Sequence, residues 1–293
     1  MNKIIYYIDV LLAHNVSEEF TYKHETIEKP RVGMIVLAPL RSGEKIGVIT
    51  KVNSVLNDSK IKLKFIKEIS PEYRLNSKMI KFLNWVSNYN LIDRGLVLKM
   101  ILSHSKFYFK KKKTKELTSN IKKNVKAIKL SLEQKRASQD ILKIFQQRNF
   151  KPVLLDGVPG SGKTEVYFDV IKKFIKDGEQ VLIMFPEVSL TGDFVNRIEE
   201  RFGFSPVVWH SKISTAYKTK VLKSIIDGTS QIIIGARSSL FLPYKNLSMI
   251  VLDEEHDSSY KQEEQGIYHA RDMSVVKSSI EDIPIILTSA TPS

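Results

Sequence analysis

Eight residues, Gly157-Val158-Pro159-Gly160-Ser161-Gly162-Lys163-Thr164, constrain this chain more than any other stretch. They follow an apolar run at 153–155 and lead into an amphipathic stretch at 165–176. That is the strand–loop–helix setting in which a glycine-rich loop wraps a phosphate. Glycines let the backbone approach closely, so that successive N–H groups point at phosphate oxygens near a helix N-terminus. In this pattern Lys163 neutralises the β- and γ-phosphates, and the Thr164 hydroxyl binds Mg²⁺. Such a loop needs a strand entering it, a helix leaving it and a sheet to hold both.

The rest of the second half supplies that sheet. Apolar, strand-length runs recur at 181–185, 207–209, 231–234, 249–252 and 284–287, mostly separated by helical stretches such as 217–227. Fully apolar strands alternating with helices predict a parallel sheet covered on both faces. Ligands of such a sheet bind at the carboxyl ends of its strands. Ninety residues beyond Lys163, an apolar run ends in Asp253-Glu254-Glu255-His256. Asp253 can hold Mg²⁺, directly or through water, and Glu254 can take a proton from an attacking water. Loop and acids together make nucleoside triphosphate hydrolysis the leading reaction. Gln134, 29 residues before Lys163, either reads an adenine edge with its amide or is an ordinary helix-surface residue. Ser289 and Thr291 follow the last apolar run, placed to sense the γ-phosphate or merely to turn. His256 reads as a surface histidine, and the other five histidines show no metal spacing.

Charge separates the two halves. Residues 1–150 carry 30 basic and 13 acidic side chains, or +17, while residues 151–293 carry 16 and 19, or −3. This predicts a polyanion-binding front half, unless a lysine bias simply decorates a neutral fold. Short β-rich runs at 3–12, 19–22, 33–38, 45–52 and 62–69 predict a small antiparallel sheet or barrel. From Ser77 the period becomes helical through Met79, Phe82, Leu83, Val86 and Tyr89, and 91–102 adds a further turn or two. Ten lysines within residues 106–129 predict a linker or exposed arm. No apolar run reaches the ~18–20 residues of a membrane helix, and Asp9 interrupts the only stretch resembling a signal peptide. Cysteine is absent, which removes disulfides and thiolate zinc sites. The simplest reading is a soluble intracellular protein.

Taken together, the pieces resemble the first motor lobe of superfamily 2 helicases, and most closely the PriA family of bacterial replication-restart helicases. The resemblance rests on Leu154-Leu155-Asp156-Gly157 through Tyr167, Phe185-Pro186-Glu187 through Thr191, Gly235-Ala236-Arg237-Ser238-Ser239-Leu240-Phe241, Asp253 through Gln262, Tyr268-His269-Ala270-Arg271-Asp272 and Ser289-Ala290-Thr291-Pro292. Glu19-Phe20-Thr21-Tyr22, Val32-Gly33-Met34 and Ile46-Gly47-Val48 look like its 3′-end-capturing front domain. Thr21 stands where some members have aspartate, and Ile267 where arginine is usual.

The resemblance implies a RecA-like α/β P-loop helicase lobe at 130–293, a β-rich 3′-end DNA-binding domain at 1–72, a winged-helix domain at 73–105 and a lysine-rich linker at 106–129. It implies an ATP- and Mg²⁺-dependent 3′-to-5′ DNA helicase of replication restart, cytoplasmic and nucleoid-associated. Its partners would be forked and single-stranded DNA, primosome proteins and single-strand-binding protein, with no membrane. Lys163, Asp253 and Glu254 would catalyse, and Thr164 and Asp253 would hold Mg²⁺. Gln134, Gly157, Val158, Pro159, Gly160, Ser161, Gly162, Lys163 and Thr164 would bind nucleotide. Phe20, Thr21 and Lys64 would capture a 3′ end, and Pro186, Thr191, Arg237 and Ser238 would touch the single strand. His256, Ser289 and Thr291 would couple nucleotide state to DNA. Family members continue into a second lobe with a cysteine-rich zinc insertion, so the chain is expected to be an N-terminal portion, without zinc and poorly active alone. Two alternatives stay open: a fork-binding module that keeps the lobe without cycling, and another superfamily 2 translocase. A nucleotide kinase would need an acceptor pocket and lid, which the sequence does not suggest.

Overall fold

The computed structural model describes residues 3–41, 43–53, 62–104, 107–109, 125, 128–176, 178–186, 192–263 and 266–292. The chain divides into two compact units, Met1–Lys113 and Thr114–Ser293. Among the described residues no helix is long and apolar enough to cross a membrane.

The first unit is an antiparallel five-stranded sheet built from β1 (Ile4–Leu12), β2 (Glu19–Thr26), β3 (Met34–Leu40), β4 (Gly43–Val52) and β5 (Glu68–Arg74), in the order β2-β1-β4-β3-β5. Alternate residues face one core, where Ile8, Val10 and Leu12 of β1 meet Tyr22, Val36, Ala38, Ile49 and Ile66. The strand expected at 62–69 lies later. Its ladder starts at Glu68, while Phe65 makes only an isolated bridge to Lys23. β5 tolerates Pro71 because it is an edge strand, where a missing N–H leaves no ladder bond broken.

Two helices, α1 (Ser77–Asn90) and α2 (Arg94–Ile101), follow the sheet. Asn76 caps α1 by accepting the Met79 N–H at 2.7 Å. α2 lies directly on the chain leaving β1. A Cβ at Gly95 would fall 2.1 Å from the His14 carbonyl oxygen, so no larger residue fits. The structure shows no separate winged-helix unit over 73–105: these helices share the unit of the sheet, and no hairpin occurs among the described residues of 75–104. Most of the lysine-rich stretch lies outside the described residues. Phe107 and Tyr108, assigned to it by composition, are instead buried, with ring centroids 4.9 and 5.6 Å from Tyr73.

The second unit is a parallel six-stranded sheet of β6 (Pro152–Asp156), β7 (Gln180–Met184), β8 (Val207–Trp209), β9 (Ile232–Gly235), β10 (Leu247–Leu252) and β13 (Ile285–Ser289), in the order β6-β13-β10-β7-β9-β8. Helices α3 (Leu132–Ile144), α4 (Lys163–Phe174), α5 (Gly192–Phe202), α6 (Thr215–Asp227) and α7 (Ala270–Glu281) accompany it. A short hairpin of β11 (Lys261–Gln262) and β12 (Tyr268–His269) precedes α7. The central strands are buried on both sides, as their uninterrupted apolar sequences require. β6 departs from that pattern. It forms a sheet edge, and Leu154 is half-exposed.

Candidate nucleotide site and DNA-facing loops

β6 delivers the glycine-rich loop, and α4 carries it away. Gly157 N–H donates to the Ser289 carbonyl at 3.2 Å, which ties the loop to the end of β13. Gly162 caps α4 at φ 82°, and a Cβ there would lie 2.3 Å from Gln134 Nε2, so only glycine satisfies both backbone and space. A glycine cap brings no side-chain acceptor, so the first-turn N–H groups of α4 are available to an anion. Lys163 is buried, and its ammonium donates to the Gly157 carbonyl at 2.6 Å, inside the ring of backbone it would share with a phosphate. The residues present therefore fit a nucleotide phosphate.

Gln134 does something more definite than lie on a helix surface. Its Oε1 accepts the Ser131 N–H at 2.9 Å, and Ser131 Oγ accepts the Gln134 N–H at 3.2 Å, a capping box that starts α3. Its Nε2 donates to the Ser161 carbonyl at 2.9 Å. The amide thus ties α3 to the phosphate loop.

β10 lies in the middle of the sheet, so its acids emerge beside that loop. Asp253 is buried, accepts the Tyr167 hydroxyl at 3.0 Å on Oδ2 and the Thr288 hydroxyl on Oδ1, and its carbonyl accepts the Tyr260 hydroxyl at 2.7 Å. The Thr164 side chain, one turn earlier on α4, stands close enough to the phenol to lower its pKa. One phenol therefore hydrogen-bonds Asp253 and neighbours Thr164, the two expected Mg²⁺ ligands. Burial first, and the Asp253 charge second, push that phenol well above its usual pKa, so it stays a neutral donor. Sequence reading missed Tyr167 and Thr288. Their signal was faint: polar tips on a buried helix face and within an apolar strand.

Glu254 adopts the left-handed region at φ 48°, unusual for a non-glycine residue. Its N–H donates to Thr288 Oγ1 at 3.3 Å, and its side chain stays 41% exposed, able to meet water. Glu255 is buried and paired with Arg271 at 3.1 Å. His256 Nδ1 lies 2.8 Å from Ser289 Oγ, which also accepts the Thr291 N–H at 3.2 Å. The three residues expected to couple the site are thus joined, and His256 is 3.7 Å from Glu254.

Further along the carboxyl edge, β7 and β9 pair in parallel with Met184 opposite Gly235. Pro186 and Arg237 therefore leave neighbouring strands at similar height. Pro186 is buried, Ser238 is exposed, and Arg237 donates to the Lys261 carbonyl, linking this loop to the β11–β12 hairpin. Thr191 lies outside the described residues.

In the first unit, Thr21 donates its hydroxyl to Asp9 at 2.7 Å, across the β1–β2 ladder. The carboxylate lacking at position 21 thus stands on the neighbouring strand. Phe20 is partly buried against the sheet core. The Lys23 N–H donates to the Lys64 carbonyl at 2.9 Å, and the Lys64 ammonium reaches the Arg41 carbonyl at 3.4 Å. β2 and the turn after β3 therefore flank Lys64.

A phosphate loop, a strand ending in paired acids and a parallel sheet define a motor lobe of the helicase type, and residues 131–293 match the DEAD/DEAH box helicase family. The chain belongs to that family. Residues 9–103 match the 3′DNA-binding domain of PriA. Among curated relatives, Replication restart protein PriA of Rickettsia felis is 39% identical over 263 residues, covering 89% of this chain and 39% of the relative. The Bacillus subtilis protein of the same name is 41% identical over 170 residues, covering 58% of this chain and 21% of the relative. This chain thus spans well under half the length of these relatives. Among solved structures, RecG bound to a three-way DNA junction covers 73% of this chain and 27% of its own, at 20% identity and a TM-score of 0.43.

Proposed function

We propose that this chain provides the DNA-end-binding unit and the ATP-binding lobe of a 3′-to-5′ replication-restart helicase. The observation that carries this is the Tyr167–Asp253–Thr288 chain of hydrogen bonds beside the phosphate loop, in a chain whose front unit matches a 3′DNA-binding domain. Magnesium and ATP supply an electrophilic phosphoryl group when bound. The loop N–H groups and Lys163 orient the phosphates, and Thr164 and Asp253 hold the cation. Glu254, exposed at the end of β10, takes the proton of the attacking water. His256, Ser289 and Thr291 transmit the site's state toward the loops carrying Pro186, Thr191, Arg237 and Ser238, which grip a single strand. Gln134 stations α3 against the loop, where its amide is placed to meet adenine once released from Ser161. Phe20, Thr21 with Asp9, and Lys64 receive a 3′ end. Primosome proteins, single-strand-binding protein and a nucleoid setting, which the family resemblance implies, belong to the same proposal.

The deciding experiment is ATP turnover by the purified chain with and without forked DNA. Stimulation by DNA, lost in Glu254→Gln, supports the reading. Turnover indifferent to both DNA and Glu254 overturns it.

A further inference from the structure

A cavity of about 530 Å³ opens between the start of α5, β8 and the start of α6, lined by Val195, Val208, His210, Ile213 and Tyr217 beside Gly192. It lies outside the nucleotide site and takes no part in the chemistry above. Its walls are aliphatic apart from two flat rings and Ser214. His210 is fixed in place, because Nδ1 accepts the Lys212 N–H at 3.2 Å. Tyr217 sits in the first turn of α6, held by the Ser214 cap that accepts its N–H at 3.2 Å.

The surroundings are basic in a half of the chain that is not. Residues 203–226 hold Lys212, Lys218, Lys220 and Lys223 and no acid, whereas residues 151–293 together carry 16 basic and 19 acidic side chains. The Lys218 ammonium rests on the Ser211 carbonyl at 3.0 Å, joining the chain neighbours of the lining residues Tyr217 and His210. β8 runs parallel to β9 with Trp209 opposite Gly235, so the cavity opens from the same carboxyl edge as Arg237 and Ser238. An apolar slot with two rings and neighbouring lysines matches a nucleobase, whose faces are apolar, whose edge is polar and whose backbone is anionic. A hydrophobic peptide side chain would fill the slot but make no use of the lysines.

We infer that this cavity receives one base of the single strand, stacked on Tyr217 and His210, with the adjoining phosphates on Lys212 and Lys218. This rests on the proposed passage of DNA over the carboxyl edge. The site also has a use: an extruded base would mark a fixed register along a strand otherwise held by its backbone.

The test is photocrosslinking of the whole chain to a single-stranded oligonucleotide carrying 5-iododeoxyuridine at successive positions, with adducts mapped by peptide mass. An adduct on the peptide containing His210 or Tyr217 is expected. It should fall at least ~5-fold in Tyr217→Leu, persist in Tyr217→Phe, and weaken in Lys212→Ala/Lys218→Ala. Adducts confined to other segments of the lobe overturn the pocket while sparing the DNA-binding reading. A chain that captures the oligonucleotide only through its first unit overturns the pocket and the passage of DNA over the lobe, and one that captures none overturns the DNA-binding reading as well. A Tyr217→Leu chain with native melting temperature and undiminished adduct also overturns the pocket.

Discussion

The two units arrive at their chemistry by opposite routes. In the second, the decisive groups are contiguous: eight residues make the phosphate loop, and four more make the acidic turn. Parallel strands then bring those two stretches together, since β6, β13 and β10 are successive neighbours. In the first unit nothing decisive is contiguous. Thr21 meets Asp9 across a ladder, and Lys64 reaches the Arg41 carbonyl from a segment that bridges β2 at Lys23. The lobe is built around one small, highly charged ligand that a local loop can wrap. The front unit, with 21 basic and 10 acidic side chains over residues 1–113, matches a DNA-binding domain, and an extended polyanion takes contacts spread over several strands. If that contrast is right, the two activities should separate cleanly under mutation and under salt.

Lys163→Ala is the largest expected break. It removes the ammonium that the loop holds at Gly157, and nucleotide binding should fall below detection in equilibrium titration. Binding of forked DNA without nucleotide should stay within a few-fold of the parent. Loss of both, with the circular dichroism spectrum intact, would show that the units do not work separately.

Salt should do the reverse. Six phosphate contacts from the basic front half would lower DNA affinity about 10³-fold between 50 and 200 mM salt, while nucleotide affinity moves far less. A shallow slope for forked DNA, measured by anisotropy at fixed pH, would mean that the +17 half is surface decoration.

The same contrast explains what was legible beforehand. The lobe's order of strands and helices could be read because each strand is a solid apolar run and each helix has its own period. That the glycine-rich loop joins β6 to α4 and that the acids follow β10 could be read, because each breaks an apolar run at its end. Tyr167 and Thr288 could not, because a phenol on a buried helix face looks like core until β10 is placed beside it. Asp9 was passed over for a related reason, since only the register opposite Thr21 gives it a partner. The strand at 62–69 was misplaced because Lys62 and Lys64 alternate with Leu63 and Phe65 well enough for a ladder, whereas pairing actually begins at Glu68. The boundary at 106 was set by lysine density and overlooked two aromatics that pack back onto Tyr73.

Tyr167→Phe sharpens the comparison inside the lobe. It deletes the hydroxyl that hydrogen-bonds Asp253 beside Thr164, leaving the ring in the core. The Mg²⁺ concentration for half-maximal stabilisation by ATP, followed by thermal shift, should rise roughly 3–10-fold, as expected for one lost hydrogen bond to a charged group. The melting temperature without Mg²⁺ and the affinity for forked DNA should hardly change. An unchanged Mg²⁺ requirement would show that Thr164 and Asp253 need no such holder.

A pH series tests whether the lobe alone carries a buried cation. Lys277 on α7 is almost wholly buried, 3.8 Å from Glu281 and with its ammonium 5.9 Å from the Tyr244 ring centre. Burial lowers its pKa to about 8, although Glu281 partly opposes the shift. A base with a depressed pKa destabilises the fold while it is charged in both states, which here means below about pH 8. Between that pH and its ordinary value of 10.5, the unfolded chain binds the extra proton, so stability rises with pH. The gain is at most about 3 kcal/mol, and ionisation of buried tyrosines such as Tyr244, whose pKa is pushed up by burial, works against it near the top of the range. Denaturant melts of the lobe's transition at pH 7, 8, 9 and 9.5 should therefore show rising stability in the parent. Lys277→Met should be more stable at pH 7 and flat across the series. The first unit has no buried lysine among its described residues, so a parallel rise in its transition would place the titrating group elsewhere.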